Sequence, residues 1–319
     1  MSKPKFTDNP KSISEQVNLL ASRRLDINRD TQHKLSHTNY YRLSPFWKHR
    51  LMSPKLFKEN TDFDSIWNDY RNDRQLRLLI MDAVERIEVS FKTKLANTIS
   101  IKTNSPFPQL DTSILAEGYP TIKPEGKYKT FLDKAKEETK RSTETFVKDF
   151  FNAYDETILP IWILVEILSF GTVSKYFEIF NTKVKKEIAK EYNLEKFVFE
   201  KWIHFLSIIR NMCCHHSRFW RKSLTWQPPK LKRNIYNWNP HTNFAKVFGI
   251  ISILKYFMNI ICPASRWHND LYDFLDTIDN LNTLGFPQDW KDYKPFLELQ
   301  PERLLTDEQQ GVIWDKALD

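Results

Sequence analysis

Leu76, Leu79, Ile80, Ala83, Val84, Ile87, Phe91 and Leu95 recur at spacings of three and four, so on a helix they share one face. Arg77, Glu85, Glu88 and Lys92 fall largely off that stripe, and no proline occurs from residue 55 to 105. The pattern predicts a long helix over 62–100 with one buried side. LEKFVFEKWIHFLSIIRNMCCHH, 194–216, predicts another, burying Leu194, Phe197, Val198, Trp202, Phe205, Leu206 and Ile209. SISEQVNLLASRRL near the start reads as a short amphipathic helix capped by Ser12 or Ser14.

Two stretches are apolar almost throughout. LPIWILVEILSFGTVSKYFEIF, 159–180, opens with Pro160, a residue suited to a first helical turn. It predicts one central helix with Gly171 at a close contact or a bend. FAKVFGIISILKYFMNII, 244–261, carries Lys246 and Lys255 and falls short of a comfortable membrane span, so a buried helix is expected. Residues 127–154 read as a charged helix. Pro106, Pro108, Pro120 and Pro124, with Gly118 and Gly126, mark an irregular insertion near 101–128. Pro228, Pro229 and Pro240 surround KLKRN in a basic loop over 225–242, and the chain beyond reads as two helices and a loosely patterned tail with LGFPQDW. No strand alternation persists and no repeat occurs. The fold class expected is all-α: a basic, aromatic helical arm over 1–60, a helical core over 61–225 and a C-terminal helical region over 226–319.

Composition narrows the function classes. Six glycines, with no GxGxxG or GKS/T string, exclude a phosphate-cradling loop. Cys213, Cys214 and Cys262 make no disulfide framework, and a reducing compartment is expected. The N-terminal residues hold no apolar run of signal-peptide length, so a cytoplasmic protein without membrane association is expected. A net charge of +8 favours an anionic partner, most simply nucleic acid. In HTNYYRLSPFWKHRL, 37–51, the aromatics Tyr40, Tyr41, Phe46 and Trp47 alternate with Arg42, Lys48 and Arg50. Such a segment either holds RNA backbone while stacking on bases, or is an aromatic cluster that docks the arm on the core.

The densest chemistry lies in IRNMCCHHSRFWRK, 209–222. Zinc sites space their ligands so that side chains converge, whereas here two cysteines and two histidines are contiguous. Consecutive helical residues point about 100° apart, so at most Cys213 and His216 share a face, and no metal is expected. Arg210, Asn211 and His215 suit RNA better. Asn211 and His215 are one turn apart, while Arg210 and His215 converge only if the helix ends or bends there, or if two copies meet. A histidine titrating near neutrality serves as general acid or base for attack of a 2′-hydroxyl on its own phosphate. An arginine clamps that phosphate and stabilises transition-state charge. Arg218, Arg221 and Lys222 follow and could hold further phosphates, as could Lys230, Lys232 and Arg233 in the basic loop.

IRNMCCHHSRFWR resembles the RNxxxHHxRxW signature of Abi-family abortive-infection proteins of the AbiD/AbiF type. HTNYYRLSPFW, YRNDRQLRLLIMDAVERIEVSFKTKLA and LPIWILVEILSFGTVSKYF resemble further blocks of that family, in the same order, across roughly residues 35–225. The resemblance implies a HEPN-like helical fold and an antiphage role. Its Rx4-6H motif maps to Arg210, Asn211 and His215, with His216 also inside the permitted spacing. Related type VI CRISPR effectors carry two such motifs in one chain; this chain has one, which implies a homodimer or larger homo-oligomer. A small noncoding RNA partner is also implied. Pro45 stands where the family usually has glycine and Cys214 where alanine is common, and neither touches the proposed chemistry.

Three readings follow. The first is a metal-independent endoribonuclease without cofactors. The second is a noncatalytic RNA-binding component of a defence ribonucleoprotein. The third is an interaction module, favoured if Arg210 and His215 are both buried and paired internally.

Overall fold

A computed structural model describes residues 9–119, 126–229 and 243–297. The protein is all-α, with one two-stranded hairpin among the described residues. It divides into two compact units between Leu76 and Arg77.

The first unit holds α1 (Ile13–Ser22), α2 (Thr31–His37), α3 (Tyr40–Trp47), strands β1 (Leu51–Ser53) and β2 (Leu56–Phe57), and the opening turns of α4 (Phe63–Thr103). Ser12 caps α1 and completes a capping box: its hydroxyl accepts from Glu15 N at 3.2 Å while Glu15 accepts from Ser12 N at 2.6 Å. Pro45 sits inside α3 and donates no hydrogen bond to Tyr41 O; Ser44 Oγ donates to that carbonyl instead, at 3.1 Å.

The second unit holds the rest of α4, then α5 (Lys127–Arg141), α6 (Thr145–Ala153), α7 (Ile161–Ile167), α8 (Phe170–Glu178), α9 (Thr182–Lys190), α10 (Lys196–Cys214), α11 (Val247–Ile261), α12 (Trp267–Asp276) and α13 (Lys294–Leu297). Every member of the α4 stripe from Leu79 to Leu95 is buried. The rings of Phe91, Phe177 and Phe199 meet edge to face at 5.4–5.8 Å and join α4, α8 and α10. Trp202 on α10 packs against Tyr256 and Phe257 of α11. The region beyond 226 is therefore core material as well as appendage: α11 is buried from Val247 to Met258, and Trp267 Nε1 donates to Leu79 O at 2.8 Å.

Four expectations need correction. The apolar stretch 159–180 is two helices, because Leu168 is extended and Ser169 starts a new cap on Thr172 N at 3.2 Å. A Cβ at Gly171 would meet only Ser169 Oγ, at 3.9 Å, so no close approach exists there; it occurs at Gly249, where a Cβ would collide with the Phe244 backbone. Residues 127–154 likewise break, after Arg141. Phe197 is 57% exposed, since the buried face of α10 centres on Phe199, Trp202 and Leu206. Beyond these four, Arg77 and Lys92, which lie off the apolar stripe, are buried as well.

One buried polar pair sets a pH dependence. Lys255 on α11 donates to His268 Nδ1 at 2.9 Å, and His268 Nε2 donates to Cys262 O at 3.1 Å. Burial first, and then Lys255, lower His268 from 6.5 to about 4. The unfolded chain thus takes up this proton near 6.5 and the folded chain only near 4. The contribution is complete above 6.5 and is lost as pH falls toward 4, by about 3 kcal/mol. Urea unfolding across that range should show a steeper acid loss in the wild type than in His268→Gln. Parallel curves would contradict this.

Candidate active site

Helix α10 carries the Arg210–His215 segment, and the way it ends decides where those side chains go. Cys214 is the last helical residue and His215 the C-cap. His216 adopts a left-handed conformation, with φ of 54°. Its amide donates to Cys213 O at 3.0 Å, and Ser217 N donates to Met212 O at 2.8 Å. This pair of bonds is a Schellman stop, which satisfies carbonyls left open at a helix end. A helix end here meets one of the conditions under which Arg210 and His215 can converge, the others being a bend and the meeting of two copies. His215, Asn211 and Cys214 are exposed, while Cys213 is buried, a packing residue between them.

Arg210 is half-buried, with a third of its side chain exposed, and lies beside α4. Its Nε stands 3.8 Å from Glu88 Oε2, too far for a hydrogen bond, and is buried without a hydrogen-bond partner among the described residues. Nη1 points to Asn211 Oδ1 at 3.5 Å. The other oxygen of Glu88 accepts from Lys92 Nζ at 2.8 Å, and both those side chains are largely buried. One carboxylate thus serves two cations. The set keeps a positive charge whose open end is the guanidinium of Arg210, which suits a phosphate. Glu88 and Lys92 were missed as site residues in the sequence. Their i,i+4 acid–base spacing was visible, but their meeting with α10 was not.

The remaining candidates scatter. Arg218 is half-buried and donates to Trp220 O at 2.8 Å, so it braces the turn after α10. Arg221 is exposed with φ of 51°, and Lys222 is half-buried. Lys230, Lys232 and Arg233 lie outside the described residues. In the first unit, Trp47 is buried against Phe57 and Tyr40, Tyr40 accepts from Arg23 at 2.9 Å, and Arg50 pairs with Asp69 at 2.6 Å. These three hold the first unit together. Tyr41, Arg42 and Lys48 are exposed, and they are the part of that segment a strand of RNA could reach.

Among the described residues, no group of three or more His, Cys, Asp or Glu side chains could hold a metal ion. No helix there is long and apolar enough to cross a membrane. Of the conditions that would favour an interaction module, one fails, because His215 is exposed. What the helix end carries is an exposed imidazole at His215 and, five residues earlier, a partly neutralised guanidinium at Arg210. Residues 33–221 match the family model described as Abi-like protein. Neither a curated protein nor a solved structure matches the chain.

Proposed function

This chain belongs to the Abi-like protein family, and on that premise we propose that it acts in abortive infection as a metal-independent endoribonuclease of the HEPN type. In this reading Arg210 clamps the scissile phosphate and His215 moves the proton. The 2′-hydroxyl gives its proton to one proton-transfer group as its oxygen attacks the adjacent phosphorus, the bond to the 5′-oxygen breaks, and that leaving oxygen takes a proton from the other. One chain offers one such motif, so a homodimer or larger assembly supplies the second proton-transfer group. A small noncoding RNA is the partner expected alongside the substrate.

The observation that carries the reading is the site at the end of α10: an exposed His215 beyond a stopped helix, and an Arg210 held at Glu88 with charge to spare. His216 has a different task. As the left-handed residue of the stop it serves the backbone, at a cost glycine would not bear. His216→Gly should therefore relieve about 1 kcal/mol of backbone strain, less whatever its side-chain contacts contribute, and leave RNA cleavage unchanged. A variant that is more stable yet inactive would transfer the proton to His216.

The noncatalytic ribonucleoprotein rests on the net charge of +8 and on the exposed Arg42 of α3 and Lys48 just after it. Purification with nucleic acid retained, followed by a cleavage assay in EDTA, separates the two. RNA that co-purifies and survives intact favours the second reading, and RNA cut by wild type but not by His215→Ala favours the first.

A further inference from the structure

A second cluster lies on the same side of α10 as His215, three turns toward the helix start. Residues 197, 204, 211 and 215 are separated by near-whole turns, so they form one line along the helix. Phe197, Asn211 and His215 are exposed on that line, and His204 is half-buried. Ile208, beside it, is 37% exposed. This face is open at both ends, one of which is the candidate active site.

Cations gather around His204. Lys127 begins α5, Lys175 lies on α8 and Lys201 is one turn before His204 on α10. Burial lowers the pKa of His204, Glu178 opposes that, and Lys175, Lys201 and Lys127 reinforce it. Glu178 pairs with Lys127 at 2.7 Å, and Glu200 is shared by Lys185 at 2.6 Å and Lys201 at 3.2 Å. Lys175 is exposed and forms no ion pair among the described residues. The lysines outnumber the acids, so the patch keeps positive charge. An aromatic ring stands within it: Trp226 lies 5.5 Å from the buried Phe205 and 6.0 Å from His204, and is 38% exposed. A ring braced from behind and partly open to water, set among lysines, is the combination that binds single strands.

We infer that this cluster is a binding subsite for single-stranded RNA, in which Lys175 and Lys201 take phosphate and Trp226 stacks on a base. It lies roughly 16 Å along α10 from His215, so one strand held here runs down the exposed line to the cleavage site. The inference rests on the RNA reading of the α10 terminus. It adds a feature that reading does not require: substrate is gripped on one side of the cut by a surface away from the Arg210 motif.

The test uses the full chain carrying His215→Ala, which binds without cutting, and a fluorescein-labelled oligouridylate of about 12 nucleotides followed by anisotropy. Adding Trp226→Ala should weaken binding about tenfold, and Trp226→Phe should restore it to within about threefold. Lys175→Gln with Lys201→Gln should reduce the slope of log affinity against log salt by about 1.4, as loss of two phosphate contacts requires. Unchanged affinity and slope would overturn the subsite. So would a change of sedimentation in Trp226→Ala without a change in affinity, since the face would then join copies of the chain. The two claims fail separately. If His215→Ala alone still cuts RNA while Trp226→Ala loses binding, the catalytic reading falls and the subsite stands. If His215→Ala stops cutting while Trp226→Ala binds like its parent, the reverse holds.

Discussion

His215→Ala should leave the protein folded and lower RNA cleavage about a thousandfold, the scale of a lost general acid or base. The side chain is exposed and carries no hydrogen bond among the described residues, so stability should move by no more than about 0.5 kcal/mol. Arg210→Ala should reduce cleavage comparably through loss of the phosphate clamp. Arg210→Lys should not rescue it, because an ammonium lacks the planar fork that reaches Asn211 and a phosphate together. Thermal melting and a single-turnover cleavage assay check the set. Full activity in either alanine variant, with wild-type products, would remove that residue from the chemistry.

The largest stability effect is expected at Glu88. Its side chain is 13% exposed and Lys92 beside it 8%, with Arg210 across from both. Removing the acid leaves two cations facing each other with little water to screen them. Glu88→Ala should therefore cost about 3 kcal/mol in urea unfolding and abolish cleavage as well. Those two effects separate in a double variant. Glu88→Met with Lys92→Met replaces the ion pair by apolar groups of similar length, which should recover most of the stability. It leaves Arg210 without its carboxylate, so cleavage should stay low. Recovery of both together would make Glu88 a packing residue only.

The parts of this protein that were legible in its sequence are those where local pattern and tertiary burial agree. The α4 stripe repeats at helical spacing over more than four turns, and Leu79 through Leu95 are buried as read. Ser12 was one of two cap candidates beside Ser14, and the capping box with Glu15 three residues on decides for Ser12. The break at Leu168 was hidden because Ser169 and Thr172, the residues that start α8, sit inside an apolar run. Phe197 was misplaced because one aromatic among several says little about which side of a helix faces inward.

At the candidate site, the sequence supplied Arg210, Asn211 and His215, which are close along the chain. It could not supply Glu88, since an ion pair between α4 and α10 depends on how two distant segments cross. Nor did it separate His215 from His216. The left-handed backbone at His216, a property of the helix end, is the observation on which the proposal favours His215.

Cleavage of RNA by transesterification at the end of α10, as proposed, leaves a chemical signature on the products. The most direct measurement incubates the purified protein with a defined RNA in EDTA and identifies the new termini by mass spectrometry. The wild type should yield 2′,3′-cyclic phosphate and 5′-hydroxyl ends, and His215→Ala none. Intact RNA, or the same ends from both proteins, would contradict the proposal.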